Sequence, residues 1–493
     1  MKTLKYILLS CVVLGAVACD DFLVETPDTS VEKSGVYNSL SSAKAALAGC
    51  YGNMAGYNGY AFNYFHVLSV TSGMGVSIKA NDVNLTTMNI LPSDVNMTNA
   101  YNGMYETVRI ANDIIDGMKS STISVESEKN RITGEAHFIR GLTYFNLVRL
   151  FGKVSLVTQP VLDYNEAQAP RADVSAVYTL IIDDLKAAYG MLPLPADKVE
   201  GHPHRYAAQA LLAKVYLTLA GNTEGSEYWQ KAYDAAKDVY DHGEYKLVRP
   251  YAKLFGSANK NNAESIFEIQ FKRNTPGVSG SNYNGYYRPP FVNINGWVGY
   301  GDDPVTRNHY ECYEEGDLRR DINVRLYTKE EYPNMSSNYE FPCYVNKFQD
   351  PSPLAVRSQG GENNYPILRY SDVYLMRAEA LNAINTSDAE AYECLNVIRR
   401  RAFGLNMNEA SAIDIKPGLS KEDFLDVILL ERRKEFAFEG QRRFDLVRTH
   451  KLKEAMMAQN PTIGAVVEEK HYLLPIPVTE LDANKLLEQT PGW

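Results

Sequence analysis

The chain is poor in cysteine and tryptophan, with 6 and 3 among 493 residues, and basic residues do not outnumber acidic ones. Past its first twenty residues it also lacks any run of 18 uninterrupted apolar residues, so no later segment is expected to cross a bilayer as a helix. The 50 Lys and Arg against 60 Asp and Glu give a formal net charge of −10, with no basic stripe to offset it. Such a surface repels phosphate backbones, which argues against nucleic acid as a partner. Catalytic signatures are missing too. No HExxH, GxSxG or Walker-type loop occurs, and Gly73-Met-Gly75 and Gly299-Tyr-Gly301 lack the further glycine and the strand-to-helix setting that phosphate binding needs. Asp302-Asp303 and Glu314-Glu315 supply carboxylates, but position along a chain does not set the separation that glycoside hydrolysis requires. His202-Pro-His204 reads as a turn before a helix rather than a metal site, so neither a metal nor a cofactor is expected.

The few cysteines divide by position. Cys19 follows Leu14-Gly15-Ala16-Val17-Ala18, which ends an apolar run begun after Lys2 and Lys5. A basic start, an apolar stretch too short to span a bilayer, and small residues before a thiol describe a lipoprotein signal over residues 1–18. Cys19 would then be acylated as the first residue of the mature protein, and loss of Lys2 and Lys5 would take the net charge from −10 to about −12. Cys50, Cys312, Cys343 and Cys394 are too few and too scattered for a disulfide framework. A Cys312–Cys343 pair stays open, with buried free thiols the simpler reading.

What the chain does have is helical period. Arg205–Ala220 places Ala, Leu and aromatic residues three and four apart and stops at Gly221-Asn222. Ser226-Glu227 opens a second helix carrying Trp229, Ala232, Tyr233, Ala236 and Tyr240 on one face. The plan recurs in Tyr370–Ile384 followed by Ala391, Leu395, Ile398 and Ala402, in Glu135–Leu150 with Val177–Leu192, and in Ala43–Tyr51 with Tyr101–Met118. Paired helices meeting through small residues resemble the tetratricopeptide pattern. Residues 53–100 and 273–365, rich in Asn, Gly, Tyr, Ser and Pro, are expected to be loops or short strands, and Glu264–Lys272 alternates as a strand does. The expectation is a mainly α protein: a scaffold of tetratricopeptide-like helix pairs and a loop-rich irregular subregion with short strands. Its parts would run about 19–260, 261–365 and 366–493.

Several blocks, in order, resemble the SusD/RagB family of outer-membrane nutrient-uptake lipoproteins of Bacteroidetes. They are the start Cys19-Asp-Asp-Phe-Leu, the helix Glu135 to Lys153, the run Pro366 to Ala380, Arg399-Arg-Arg-Ala402, Glu431 to Arg448, Leu474-Pro-Ile-Pro477 and the final Pro491-Gly-Trp493. The resemblance implies a SusD-like, non-enzymatic, surface-exposed lipoprotein of the cell outer membrane. It would capture an oligosaccharide and deliver it to a TonB-dependent, SusC-like transporter. Glu431, Glu435 and Glu439 would repel one another on one helical face, so the dense charge of Glu431 to Arg448 reads as a buried ion-pair network that locks helices together. Two rival functions stay open, a protein-interaction scaffold that uses the helix-pair grooves and a glycan-processing enzyme.

Sugar recognition needs flat rings against pyranose faces and polar tips for the hydroxyls, and the chain holds 34 Tyr against 17 Phe. Trp297, between Gly296 and Gly299-Tyr300, is the tryptophan placed in a loop, and Tyr283, Tyr286, Tyr287 and Arg288 precede it. These residues with Tyr300 form the first candidate platform. A second face is expected from Tyr57, Tyr60 and Tyr64, followed by Lys79, Asn81 and Asp82. The alternative is that the rings pack the loops onto the helical body. For the leader, Cys19→Ala is expected to abolish acylation and shift the protein out of the membrane fraction of cells lacking the partner transporter. Recovery of the variant in that fraction would show another anchor.

Overall fold

The computed structural model describes residues 33–80, 82–161, 168–273, 280–294, 296–337, 340–352, 355, 360–385 and 388–493. Cys19, the leader and Asn81 lie outside the described residues. Helices α1 (Leu40–Met54), α2 (Asn63–Val70), α3 (Val95–Lys119), α4 (Glu126–Phe151), α5 (Val174–Met191), α6 (Arg205–Ala220) and α7 (Glu227–His242) occupy the first half. After them come β1 (Ser265–Ile269), the short α8 (Tyr283–Tyr287) and β2 (Tyr365–Arg369). Helices α9 (Tyr370–Ile384), α10 (Ala389–Ala402), α11 (Lys421–Glu435) and α12 (Arg442–Arg448) follow. Side-chain caps start several of them: Asp94 accepts from Met97 N at 2.9 Å, Asp388 from Glu390 N at 2.9 Å and Ser420 from Asp423 N at 3.0 Å. Each satisfies an amide that the first helical turn leaves without an intrahelical acceptor.

The architecture is mainly helical with short two-stranded ribbons, as the periodicity predicts. Helix pairs α4–α5, α6–α7, α9–α10 and α1–α3 pack together. Small residues set the close approach. A Cβ on Gly134 of α4 would lie 2.9 Å from Met191, and one on Gly141 would lie 3.2 Å from Leu185, so α5 sits where larger residues would hold it away. β1 and β2 pair antiparallel, from Ser265 opposite Arg369 to Ile269 opposite Tyr365. The four cysteines of the body are free, with Cys50, Cys343 and Cys394 buried.

Residues 53–100 differ from the loops expected there. They contain α2, whose eight residues are all buried. A helix surrounded by protein on every side needs no polar face, so it carries no amphipathic period to be read. The segment 273–365 likewise holds α8 and the short helices Arg307–Tyr310 and Arg319–Asn323.

The charged block at 431–448 is not one helix. α11 ends at Glu435, a turn follows in which Phe438 and Gly440 take φ of 61° and 70°, and α12 begins at Arg442. Glu439 therefore leaves the face shared by Glu431 and Glu435. Acids and bases alternate through the interior instead. Glu435 meets Arg401 at 2.5 Å, Arg369 at 2.9 Å and Arg319 at 3.1 Å. Arg369 and Arg401 share Glu264 at 2.7 and 2.6 Å, and Arg319 also meets Glu431 and Asp317, each at 2.7 Å. Glu439 holds Arg369 at 2.8 Å and the buried Lys347 at 2.7 Å. A second run joins Lys214 to Asp372 at 2.6 Å, Asp372 to Arg432 at 2.6 Å, and Arg432 to Asp445 at 2.9 Å. Arg443, expected in this network, is buried among the described residues without a carboxylate. It donates to the backbone carbonyls of His471 at 3.0 Å and Thr71 at 3.4 Å, and burial pushes its guanidinium down to about 10.

Burial alone would raise the carboxyl of Glu435, but the guanidinium groups of Arg401, Arg369 and Arg319 override it and hold the group well below its ordinary 4.5. A depressed carboxylate contributes stability that is present above pH 4.5 and is lost as pH falls through the folded-state value. Glu435→Gln is expected to cost about 3–5 kcal/mol, because three guanidinium groups lose a shared counter-charge. Thermal melts should show a large loss at neutral pH that narrows on acidification. A variant as stable as the native protein would remove Glu435 from the scaffold.

Candidate ligand-binding site

Trp297 closes a tight reversal in which Ile294 N donates to Trp297 O at 2.9 Å and Trp297 N donates back to Ile294 O at 3.1 Å. Gly296 takes φ of 84° there, a left-handed conformation that favours glycine, and its N–H donates to Asn293 Oδ1 at 2.8 Å. The reversal leaves Trp297 45% exposed. The chain then returns against α8. Gly299 lies so close to the Arg288 carbonyl that any Cβ would overlap it, and Tyr300 N donates to Gly285 O at 2.6 Å. Tyr300 is thereby presented at the edge of α8, 39% exposed.

Parts of the two faces expected from the sequence meet on one surface. Segments 74–78 and 302–306 run side by side: Val76 N donates to Pro304 O at 3.0 Å, Ile78 N to Asp302 O at 2.9 Å and Thr306 N to Met74 O at 2.9 Å. This pairing sets Lys79 with its ammonium 5.6 Å from the centre of the Tyr286 ring and 3.9 Å from Asp302. Tyr300 packs on Tyr286 at 5.5 Å between ring centres, and the hydroxyls of Tyr57 and Tyr286 lie 3.2 Å apart. Tyr57 is 42% exposed and the Lys79 side chain 46%. The result is two exposed tyrosine rings, a cation and a carboxylate on one patch, with Trp297 on the adjoining reversal.

Other residues expected to contact a ligand lie in the core. Tyr283 and Tyr287 are buried because residues 283–287 form a helix rather than an open loop, and one turn of helix directs both rings inward. Tyr283 donates to Tyr60 O at 2.7 Å and packs on Phe65 and Phe348, and Tyr287 packs on Phe348 and Phe438. Arg288 is buried and donates to Asp350 O at 3.1 Å, with burial lowering its guanidinium. Tyr64, on the enclosed α2, packs on Tyr60 at 4.8 Å. Asp82 is buried and accepts from Asn96 Nδ2 at 2.8 Å. Tyr286 is buried as well, with one face stacked on Phe62 at 3.9 Å, so it backs the exposed rings rather than offering its own. Burial and the Tyr57 hydroxyl push its phenol well above the usual range.

Beneath the patch lies a group that sequence reading passes over. His66 is fully buried, its Nδ1 2.9 Å from Asp303 Oδ2 and its Nε2 3.5 Å from Asp82 Oδ2. Burial would lower its imidazole, but Asp303 and Asp82 outweigh that and raise it to about 10. Nothing near position 66 in the sequence announces this, since Asp303 is 237 positions away and Asp82 lies beyond the end of α2.

A separate cavity of about 490 Å³ opens between α1, α4 and the end of β1, lined by Leu47, Tyr51, Ala55, Arg131, His202 and Ile269. Its polar groups are committed to one another. The buried carboxylate of Glu135 takes Arg131 at 2.5 Å, Tyr51 at 2.6 Å and His202 at 2.7 Å, which leaves a largely carbon-lined wall. His204 points elsewhere, its Nε2 2.7 Å from the Tyr245 hydroxyl, so the His-Pro-His run does not converge. Among the described residues, no cluster of three or more His, Cys, Asp or Glu is arranged to hold a metal, and no helix is long and apolar enough to cross a membrane.

The fold is a helix-pair scaffold of the helical-repeat class that carries a loop-borne aromatic patch. Two family models match the chain: the SusD family over residues 323–493, and "Starch-binding associating with outer membrane" over residues 21–217. SusD-like protein P2 of Formosa agariphila is 28% identical over 519 residues, covering 97% of this chain and 98% of the relative. A crystal structure of a SusD homologue from Bacteroides thetaiotaomicron superimposes with a TM-score of 0.82 at 24% identity, covering 94% and 99% of the two chains. A laminarin-binding SusD-like protein does so with a TM-score of 0.77 at 28% identity, covering 92% and 99%. The chain belongs to the SusD family.

Gly299→Ala tests how the patch is assembled. The added methyl meets backbone rather than a yielding side chain, so the 296–301 loop must leave α8 at a cost of about 1–3 kcal/mol. Chemical denaturation should show that loss. Unchanged stability would mean that the loop is not clamped there.

Proposed function

We propose that this protein captures an oligosaccharide on the patch formed by Tyr57, Tyr300, Lys79 and Asp302, with Trp297 beside it. It then passes the sugar, without chemistry, to a TonB-dependent transporter of the outer membrane. The observation that carries this reading is the presence of exposed rings and hydrogen-bonding tips on one surface built from two remote segments. Pyranose rings present C–H faces that stack on aromatic rings, and their hydroxyls need donors and acceptors at the rim. Lys79 offers donors, Asp302 acceptors, and the tyrosine hydroxyls both. The description of one matching family model as starch-binding and the laminarin-binding relative support a glycan as the ligand class. The carbon-lined cavity by α1 suits a sugar less well, since its polar groups are already paired.

The lipid on Cys19 would tether the protein at the cell surface beside the transporter, where a captured glycan need travel only a short distance. Tethering raises the effective concentration of the pair without any new contact.

Trp297→Ala and Tyr300→Ala are each expected to weaken binding by about 2 kcal/mol or more, the range of a central aromatic anchor. Stability should shift by less than about 0.5 kcal/mol, because both rings project from the body. Calorimetric titration with laminarin and starch oligosaccharides, paired with thermal melts, checks both. Native affinity in both variants, or failure of the native protein to bind either probe, would overturn the reading.

A further inference from the structure

Beneath the patch lies a buried imidazole flanked by two carboxylates. His66 stands on α2, fully enclosed, between Asp82, which precedes the short helix Val83–Thr86, and Asp303, which lies in the strap paired with residues 74–78. Asp82 is further tied to Asn96 on α3. Among the described residues Asp303 forms no other ion pair, and its Oδ1 and His66 Nε2 are both buried without a hydrogen-bond partner, so His66 is the basic group that faces it. The face of the His66 ring stacks on Phe62 at 4.9 Å, Phe62 stacks on Tyr286 at 3.9 Å, and Tyr286 meets the Tyr57 hydroxyl at 3.2 Å. Lys79 lies three residues before Asp82, and Tyr300 three residues before Asp303. One side chain is thus connected to three members of the patch by three short routes.

We propose that His66 is the positioning residue of the binding patch: its bridge between Asp82 and Asp303 holds the 74–78 and 302–306 segments together and so fixes the spacing of Lys79, Tyr300 and Tyr57. The inference rests on the glycan reading for its function, and on geometry alone for the latch. Removing the cation leaves two carboxylates on opposite segments with nothing between them. Like charges in a buried site repel or force one group to take up a proton. The strap then separates locally while the helical body, closed by its own ion pairs, stays shut. The other charged groups near the triad do not replace it: Asp94 and Asp302 are both acidic, and Lys79 points to Asp302 at the surface.

Hydrogen–deuterium exchange on the full chain tests this. In His66→Gln, and independently in Asp303→Asn, the amides of Val76, Ile78 and Thr306 should exchange about tenfold faster or more, with those of α4 unchanged. Affinity for whichever of laminarin or starch oligosaccharides the native protein binds should fall about tenfold. Tyr300→Ala should lose affinity with exchange of the strap unaltered, which separates a contact from its support. Unchanged strap exchange, a uniform rise that includes α4, or a loosened strap with native affinity would each overturn the proposal. If the native protein binds neither probe, the glycan reading fails, and the exchange rates still decide whether His66 is the latch.

Discussion

The interaction on which most of this structure depends is the buried alternation of carboxylates and guanidinium groups around Glu435. Arg319, Arg369 and Arg401 converge on that one side chain from three parts of the chain, and Glu264 and Glu439 then bind the same arginines from two further directions. Charges withdrawn from water are costly unless each meets an opposite partner in good geometry. A helix that slides or rotates would break several pairs together, so the network discriminates sharply among packings that an apolar core would tolerate. Glycine and alanine crossings let the helices approach, and the ion pairs specify how they sit.

The network also reaches the aromatic patch. Its turn after α11 places Phe438 at φ of 61°, and this buried ring packs against Tyr287 of α8 at 6.0 Å and against His309 at 5.4 Å. Gly75, where the first strap segment passes, admits the ring because a Cβ there would come within 3.3 Å of it. A residue forced into the left-handed region persists only where its surroundings over-determine it. Here the surroundings are the scaffold on one side and both loop segments on the other, so the patch rests on the ion-paired body through one aromatic contact layer and on His66 through another.

The same logic explains what the exposed rings are free to do. Tyr283 and Tyr287 fill the layer between α2, α8 and Phe348, and that filling is what allows Tyr57, Tyr300 and Trp297 to remain outside. A loop rich in tyrosine divides its rings between support and presentation. The division follows geometry rather than residue type: side chains on the inward side of α8 pack, and those on the 296–300 reversal and return project.

Much of this was legible beforehand. Periods of three and four, with Gly221-Asn222 and Asn385 as stops, located Arg205–Ala220 and Tyr370–Ile384 to the residue, because small and large apolar residues must recur at helical spacing wherever one helix packs on its neighbours. The charge density of Glu431 to Arg448 signalled ion pairing, since so many like charges on neighbouring turns need partners. The exposed Trp297 could be suspected from its glycine neighbours. What the sequence could not show were the pairings of residues far apart: that Arg443 meets carbonyls instead of a carboxylate, that α2 is a helix without a polar face, that Tyr64 and Asp82 are interior, and that two loops more than two hundred residues apart close into one patch over His66. Local order is set by steric and solvent preferences that act within a few residues and therefore leave a periodic trace. The site is set by which distant groups neutralise and enclose one another, and only the folded chain decides that.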